Sequence, residues 1–233
     1  MLFGIAHAQT DYDANIANLK DTVYRIGPYT SFLLPGDLYL DALATYGFHD
    51  NTGTRNINYL SRNANTDYNM NEAIGFLGVS KIFSIDNKTK LMPYANIQYF
   101  FLNRPNYSES GAGDVNLAVS KSSINSLLTK IGSTFIRDFK IKNLIIRPDI
   151  TAAWWCECLN PNTAINSSFV GTPDSGFSTP QSGINKNSAR IGAGLSLFGA
   201  KCKNPIAIYA RYDVILGKNG VLTSITAGLR IAI

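Results

Sequence analysis

Residues 38–50, LYLDALATYGFHD, alternate without a break: Leu38, Leu40, Ala42, Ala44, Tyr46 and Phe48 fall on one side, Tyr39, Asp41, Leu43, Thr45, Gly47 and His49 on the other. A period of two is that of a β-strand with unlike faces, and here its length is the sharper constraint. Strands of soluble sheets average about 5–6 residues, whereas a tilted strand that crosses a bilayer takes about 9–11. In NSARIGAGLSLF, Ala189, Ile191, Ala193, Leu195 and Leu197 oppose Arg190, Gly192, Gly194 and Ser196. In PIAIYARYDVIL, Ile206, Ile208, Ala210, Tyr212 and Val214 oppose Tyr209, Arg211 and Asp213. NLIIRPDITAAWW puts Arg147 and Asp149 on the charged face; its discordant residue is Pro148, which removes a ladder hydrogen bond. Charges keep to one face each time, so the apolar face is expected to meet lipid and the charged face the interior.

Ten strands are expected, at roughly 2–9, 22–32, 38–50, 70–83, 90–102, 126–138, 143–157, 187–199, 205–216 and 222–233. The links around LLPGD, SIDNKTK, DFKIKN and AKCKNP are short. Those around 10–21, 51–69, 103–125 and 158–186 are long and rich in Asn, Ser, Thr, Gly and Asp, and GKNGV is short where a long one is due. Plain turns on one side and elaborated loops on the other are what an up-and-down antiparallel barrel shows. The final segment, GVLTSITAGLRIAI, sets Ile225, Ala227, Leu229, Ile231 and Ile233 against Ser224, Thr226, Gly228, Arg230 and Ala232. A strand with one apolar face needs a neighbour on each edge, so an earlier strand is expected to close onto it.

Composition narrows the partners. Lys and Arg number 21 against 16 Asp and Glu, a net +5, but only 16% of residues are charged and the basic ones are scattered singly, FKIKN being the densest group. A nucleic-acid partner is therefore not expected. No apolar run reaches the ~18 residues of a transmembrane helix, which leaves the membrane β-barrel untouched because its strands alternate. MLFGIAHAQ carries an A-x-A pattern at Ala6, His7 and Ala8 but has no basic n-region and too short an apolar core, so it reads as strand and not as a signal peptide.

Catalytic and metal chemistry find little footing. The histidines are His7 and His49; His49 precedes Asp50 at an expected strand end, a common surface pairing. Cys156 and Cys158, two apart, project to one face of a strand, with Cys202 elsewhere; without His at ligand spacing they suggest spare thiols or one strained vicinal bridge. The GAG at 111–113 lies in a polar loop, and the GAG at 192–194 lies within a strand, where Gly lets a large neighbour pack close. Neither is a phosphate loop, so the chain is expected to be no enzyme and to use no cofactor and no metal.

Four stretches, taken in order, resemble the C-terminal translocator domain of bacterial autotransporters: YLDALATYGFHDNTGTRNI, LMPYANIQYFFLNRPNYSESGAGDVNLAVSKSSINSLLTKIG, FVGTPDSGFSTPQSGINKNSARIGAGLSLF and YARYDVILGKNGVLTSITAGLRIAI. The resemblance implies an all-β, antiparallel up-and-down transmembrane β-barrel in the bacterial outer membrane, with about ten strands present of a twelve-stranded family barrel. It implies type V secretion, in which the barrel anchors an N-terminal passenger and exports it to the cell surface. Residues 1–233 then form one barrel domain that begins near the family's third strand, N-terminally truncated, with ten strands too few to close without a different shear. The implied partners are outer-membrane lipid, the barrel assembly machinery and a passenger polypeptide outside this chain.

Lys130, Arg147, Asp149, Arg190, Arg211, Asp213 and Arg230 are expected to line a hydrated lumen, either as the wall of a conduit or as a mutually paired plug that keeps the barrel rigid. Leu229, Ile231 and Ile233 are the expected C-terminal assembly signal, although Ile233 stands where the family usually ends on an aromatic residue. Other readings remain open: a stand-alone porin-like or adhesive barrel using loops 51–69 and 158–186, a non-functional fragment, and, most remote, a soluble sandwich.

Overall fold

A computed structural model of the chain describes residues 1–12, 16–159, 164–180, 185–199 and 206–231. Among them, ten strands form one continuous sheet in chain order: β1 (Leu2–Asp11), β2 (Ala17–Gly27), β3 (Leu38–Ile57), β4 (Arg62–Lys81), β5 (Thr89–Arg104), β6 (Ser122–Arg137), β7 (Leu144–Glu157), β8 (Asn187–Gly199), β9 (Ile206–Gly217) and β10 (Gly220–Ile231). Every neighbouring pair is antiparallel. That is the up-and-down order expected from the alternating link lengths.

The sheet curls, and the burial pattern explains why. In β3, Thr45, Gly47, His49 and Asn51 are buried while Ala44, Tyr46, Phe48 and Asp50 are exposed. Thr134, Thr151, Ser188 and Asp213 are buried likewise, whereas Ile131, Ile150, Trp154 and Ile191 on the opposite face are each more than half exposed. Polar side chains are thus buried against one another without a second apolar layer, and large apolar ones point outward. A soluble sheet has the opposite polarity; a barrel wall has this one.

Several elements depart from the sequence reading. The expected strand 22–32 breaks at Pro28: β2 ends at Gly27, and Tyr29–Leu34 pairs separately with β3. Gly27 lies so close to the Ala44 carbonyl that a side chain would not fit there. Segment 51–69, expected as a loop, is mostly strand, because β3 and β4 stay paired from Leu38↔Lys81 to Ile57↔Arg62. That hairpin outruns any bilayer, and its tip has its own core of Ile57, Ala64 and Ala112, with Val115 against it. The long loops also fold: Tyr107–Ser108, Leu117–Val119, Ala164–Phe169 and Thr172–Pro180 make a second, four-stranded sheet at the same end of the wall. Pro148 sits where the pairing of β7 to β6 is interrupted, beyond Ile136↔Asp149 and before Phe139↔Ile146, so the β6–β7 ladder already lacks partners there.

The apolar face of the last strand called for an earlier strand to close onto it, and the structure shows no such closure among the described residues. Among the described residues β10 pairs with β9 alone and β1 with β2 alone. Ten strands at this register curve without meeting, since closure fixes strand number, tilt and stagger together.

Candidate functional site

The chemistry of the molecule lies on the inner face, in two ion-pair networks built by cross-strand register. The first joins β2, β3 and β4. The Glu72 carboxylate, 1% exposed, receives the Arg25 guanidinium, with Nη2 3.1 Å from Oε2, and lies 3.1 Å from His49 Nε2. The other ring nitrogen, Nδ1, is 3.0 Å from Asp21 Oδ2. Val23 stands opposite His49 and Gly47 opposite Glu72, so register alone delivers the four groups to one patch. Both nitrogens of His49 face carboxylates, Nδ1 that of Asp21 and Nε2 that of Glu72.

The second network joins β7, β8 and β9. Arg211 bonds to Asp149 through Nη1 and to Asp213 through Nε at 3.1 Å, and Arg190 Nη2 reaches Asp213 at 2.9 Å. Lys130 stands beside it and meets neutral groups: its Nζ donates to Gln98 Oε1 at 3.2 Å and lies 4.5 Å from the Trp155 ring centre. Lys130, Arg190 and Arg211, with Asn96, Thr134 and Thr151, line a polar cleft on this face. At the short-turn end Arg147 donates to Asp138 from Nε at 2.5 Å and from Nη2 at 2.8 Å, and packs over Phe198. Asp138 lies in the turn beyond β6, and the Arg147 hydrogen bonds hold its carboxyl below the usual aspartate range.

Six of the seven residues expected at the lumen, Lys130, Arg147, Asp149, Arg190, Arg211 and Asp213, therefore fall on the buried face, and four of them share one network. Arg230 stands in register with Ala207 near the end of β10. Of the expected assembly signal, Leu229 is exposed and outward, Ile231 pairs with Ile206, and Ile233 lies outside the described residues, as does Cys202. Arg25, Asp21 and Glu72 escaped the sequence reading. Arg25 and Glu72 are 47 residues apart, and only the β2–β3–β4 register reveals that they meet.

At the long-loop end, a third set of bonds fastens the outer loops to the β3–β4 hairpin. Arg55 Nε donates to Glu109 Oε1 at 3.0 Å, Arg55 Nη2 to the Val115 carbonyl at 3.0 Å, and Arg62 Nη1 to the Ala112 carbonyl at 3.0 Å. The wall therefore carries a folded rim rather than free loops.

Comparison with known proteins places this geometry. A search of curated proteins finds no match. Among solved structures, the beta domain of the Bordetella autotransporter BrkA is similar at a TM-score of 0.69 and 18% identity, over 99% of this chain and 81% of that one. The translocator domain of autotransporter NalP from Neisseria meningitidis is similar at 0.71 and 15%, over 97% and 71%. At such identities these two speak for the fold. The family model for the autotransporter beta-domain matches residues 1–213, most of the chain. The chain belongs to the autotransporter beta-domain family and is an outer-membrane β-barrel translocator of type V secretion, which exports a passenger polypeptide.

Proposed function

We propose that the inner face of β2–β9 is the wall along which the passenger crosses the outer membrane, and that its charges serve by being already neutralised. The observation that carries this reading is the pairing itself: Arg25 with Glu72, Arg211 and Arg190 with Asp149 and Asp213, and Arg147 with Asp138. A wall whose acids and arginines are paired is polar enough to hold water and, Lys130 apart, offers little isolated charge to capture an unfolded chain. Buried polar atoms on the same face, Asn96 Oδ1, Trp155 Nε1 and Arg211 Nη2, lack a protein partner, so their hydrogen bonds are left to water or to a passing chain. The reading assigns the protein no chemical step.

Two further partners belong to it. Outer-membrane lipid covers the outward apolar face, including Leu77, Ile97, Ile131 and Ile150. The assembly machinery reads the last strand, where Leu229 is presented outward on an edge and Ile231 and Ile233 continue its alternation.

The test joins the chain behind a signal peptide and an epitope-tagged reporter in a Gram-negative cell and adds protease to intact cells. Digestion of the reporter while a periplasmic marker survives is the expected result. A barrel found in the outer membrane with its reporter protected inside the cell would overturn the conduit and favour a stand-alone barrel.

A further inference from the structure

We propose that Cys156 and Cys158 form an intramolecular disulfide that fixes the bend where the wall strand β7 turns into the outer loop. The two positions lie on one face, because residues two apart in a strand project the same way. Their Cα atoms are about 6.6 Å apart or less, twice the ~3.3 Å rise of an extended residue, which falls within the range that a disulfide spans. The strand ends at Glu157 and Cys158 sits in a bend. Cys158 Sγ turns back toward its neighbour and lies 3.8 Å from the Cys156 carbonyl oxygen, with both thiols free.

The surroundings hold this bend from both sides. Cys158 N donates to the Leu127 carbonyl at 2.8 Å and Glu157 N to the Lys186 carbonyl at 2.8 Å. Between the cysteines, the buried Glu157 carboxylate accepts from Ser126 Oγ at 2.5 Å, Leu127 N at 2.9 Å and Leu159 N at 3.2 Å. Glu157 therefore points inward while its two neighbours point outward, so a bridge closes over a residue that is already fixed. Thr129 Oγ1, 3.4 Å from Cys158 Sγ, completes the site.

Cys158 is exposed and Cys156 half-buried, which sets the order of steps. The Cys158 thiolate attacks the disulfide of a periplasmic thiol-oxidising protein, forming a mixed disulfide and releasing one thiolate of that protein. The Cys156 thiolate then attacks the Cys158 sulfur, the intramolecular S–S bond forms, and the second thiolate leaves. Two protons pass from the cysteines through water to the two departing thiolates, and two electrons pass to the oxidant, which ends as a dithiol. An outer-membrane protein passes through the compartment that supports this exchange.

The test isolates the full chain carrying Cys202→Ser from outer membranes, denatures it, and counts thiols with a maleimide before and after reduction. Membrane density fractionation reports separately whether the protein reached the outer membrane. The expected result is no label before reduction and two labels per chain after it, on a monomer. In a Cys156→Ser, Cys202→Ser variant, Cys158 is expected to label without reductant. Two labels before reduction, or a disulfide-linked dimer, would overturn the proposal.

Discussion

Asp149 stands directly across the β7–β8 ladder from Gly194, and its carboxylate occupies the space that a side chain at 194 would need. The relationship recurs: Asp213 lies over its cross-strand partner Gly192, and Glu72 over Gly47, where a Cβ would come within 2.5 Å of Glu72 Cγ. Asp149 and Glu72 thus lie flat across a glycine and reach an arginine on a further strand, Arg211 and Arg25, whereas Asp213 reaches Arg190 on the strand of its own glycine. A side chain at 194 must displace the carboxylate and with it the bond to Arg211. Gly194→Val is expected to cost about 1–3 kcal/mol, the usual penalty of overpacking, read as a lowered urea midpoint of the chain refolded in detergent micelles. Gly75→Ala, at a position with nothing within 4 Å of the added carbon, is the control and is expected to change stability by less than about 0.5 kcal/mol. Equal effects would show that the glycines do not make room for the acids.

Glu72 is the most deeply buried acid of the first network, accepting from both Arg25 and His49. Removing one partner of such a pair costs about 3–5 kcal/mol when the other charge stays buried. Arg25 is 34% exposed, so Glu72→Ala is expected near the lower end. Because the residues act together, the Arg25→Ala, Glu72→Ala double variant is expected to cost clearly less than the sum of the singles. Additive losses in denaturant midpoint would contradict the network.

Much of this was legible in the sequence because period-two alternation is a local signal. The outward set Ala44, Tyr46, Phe48 and the inward set Thr45, Gly47, His49 follow from counting, and so does the one-sided placement of Arg190, Arg211 and Asp213. Register is not local, and what depends on it was missed. Glu72 gave no sign that it would meet Arg25, and His49 looked like an ordinary residue beside Asp50, whereas its actual partners come from β2 and β4. The folded rim was hidden for a different reason. Two of its strands are only two and three residues long, too short for a period to show, and Ile57, Ala64 and Ala112 make a core only when segments far apart in sequence meet.

The Asp138–Arg147 pair at the short-turn end predicts a dependence on pH. The arginine lowers the pKa of Asp138 on folding, so the unfolded chain binds the proton more readily. The stability this pair contributes is fully present above about pH 4, the ordinary aspartate value, and is lost as the pH falls through the lowered folded-state pKa. An ion pair at a water-exposed turn is worth about 0.5–1 kcal/mol. Asp138→Asn is therefore expected to lower the urea midpoint slightly at pH 6 and to leave it nearly unchanged at the acid end. A constant difference across that range would contradict the assignment.

The protein's two tryptophans, Trp154 and Trp155, are neighbours on one strand and face opposite ways, Trp154 outward and Trp155 toward Lys130 and Arg190. Fluorescence quenching in lipid vesicles, with each tryptophan observed alone after Trp→Phe substitution of the other, tests the inside-out polarity of the wall most directly. Spin-labelled lipid is expected to quench Trp154 strongly and Trp155 little, and aqueous iodide to leave Trp154 unquenched. Strong iodide quenching of Trp154 with no effect of the labelled lipid would mean that the apolar face meets water, and would contradict a membrane-spanning translocator wall.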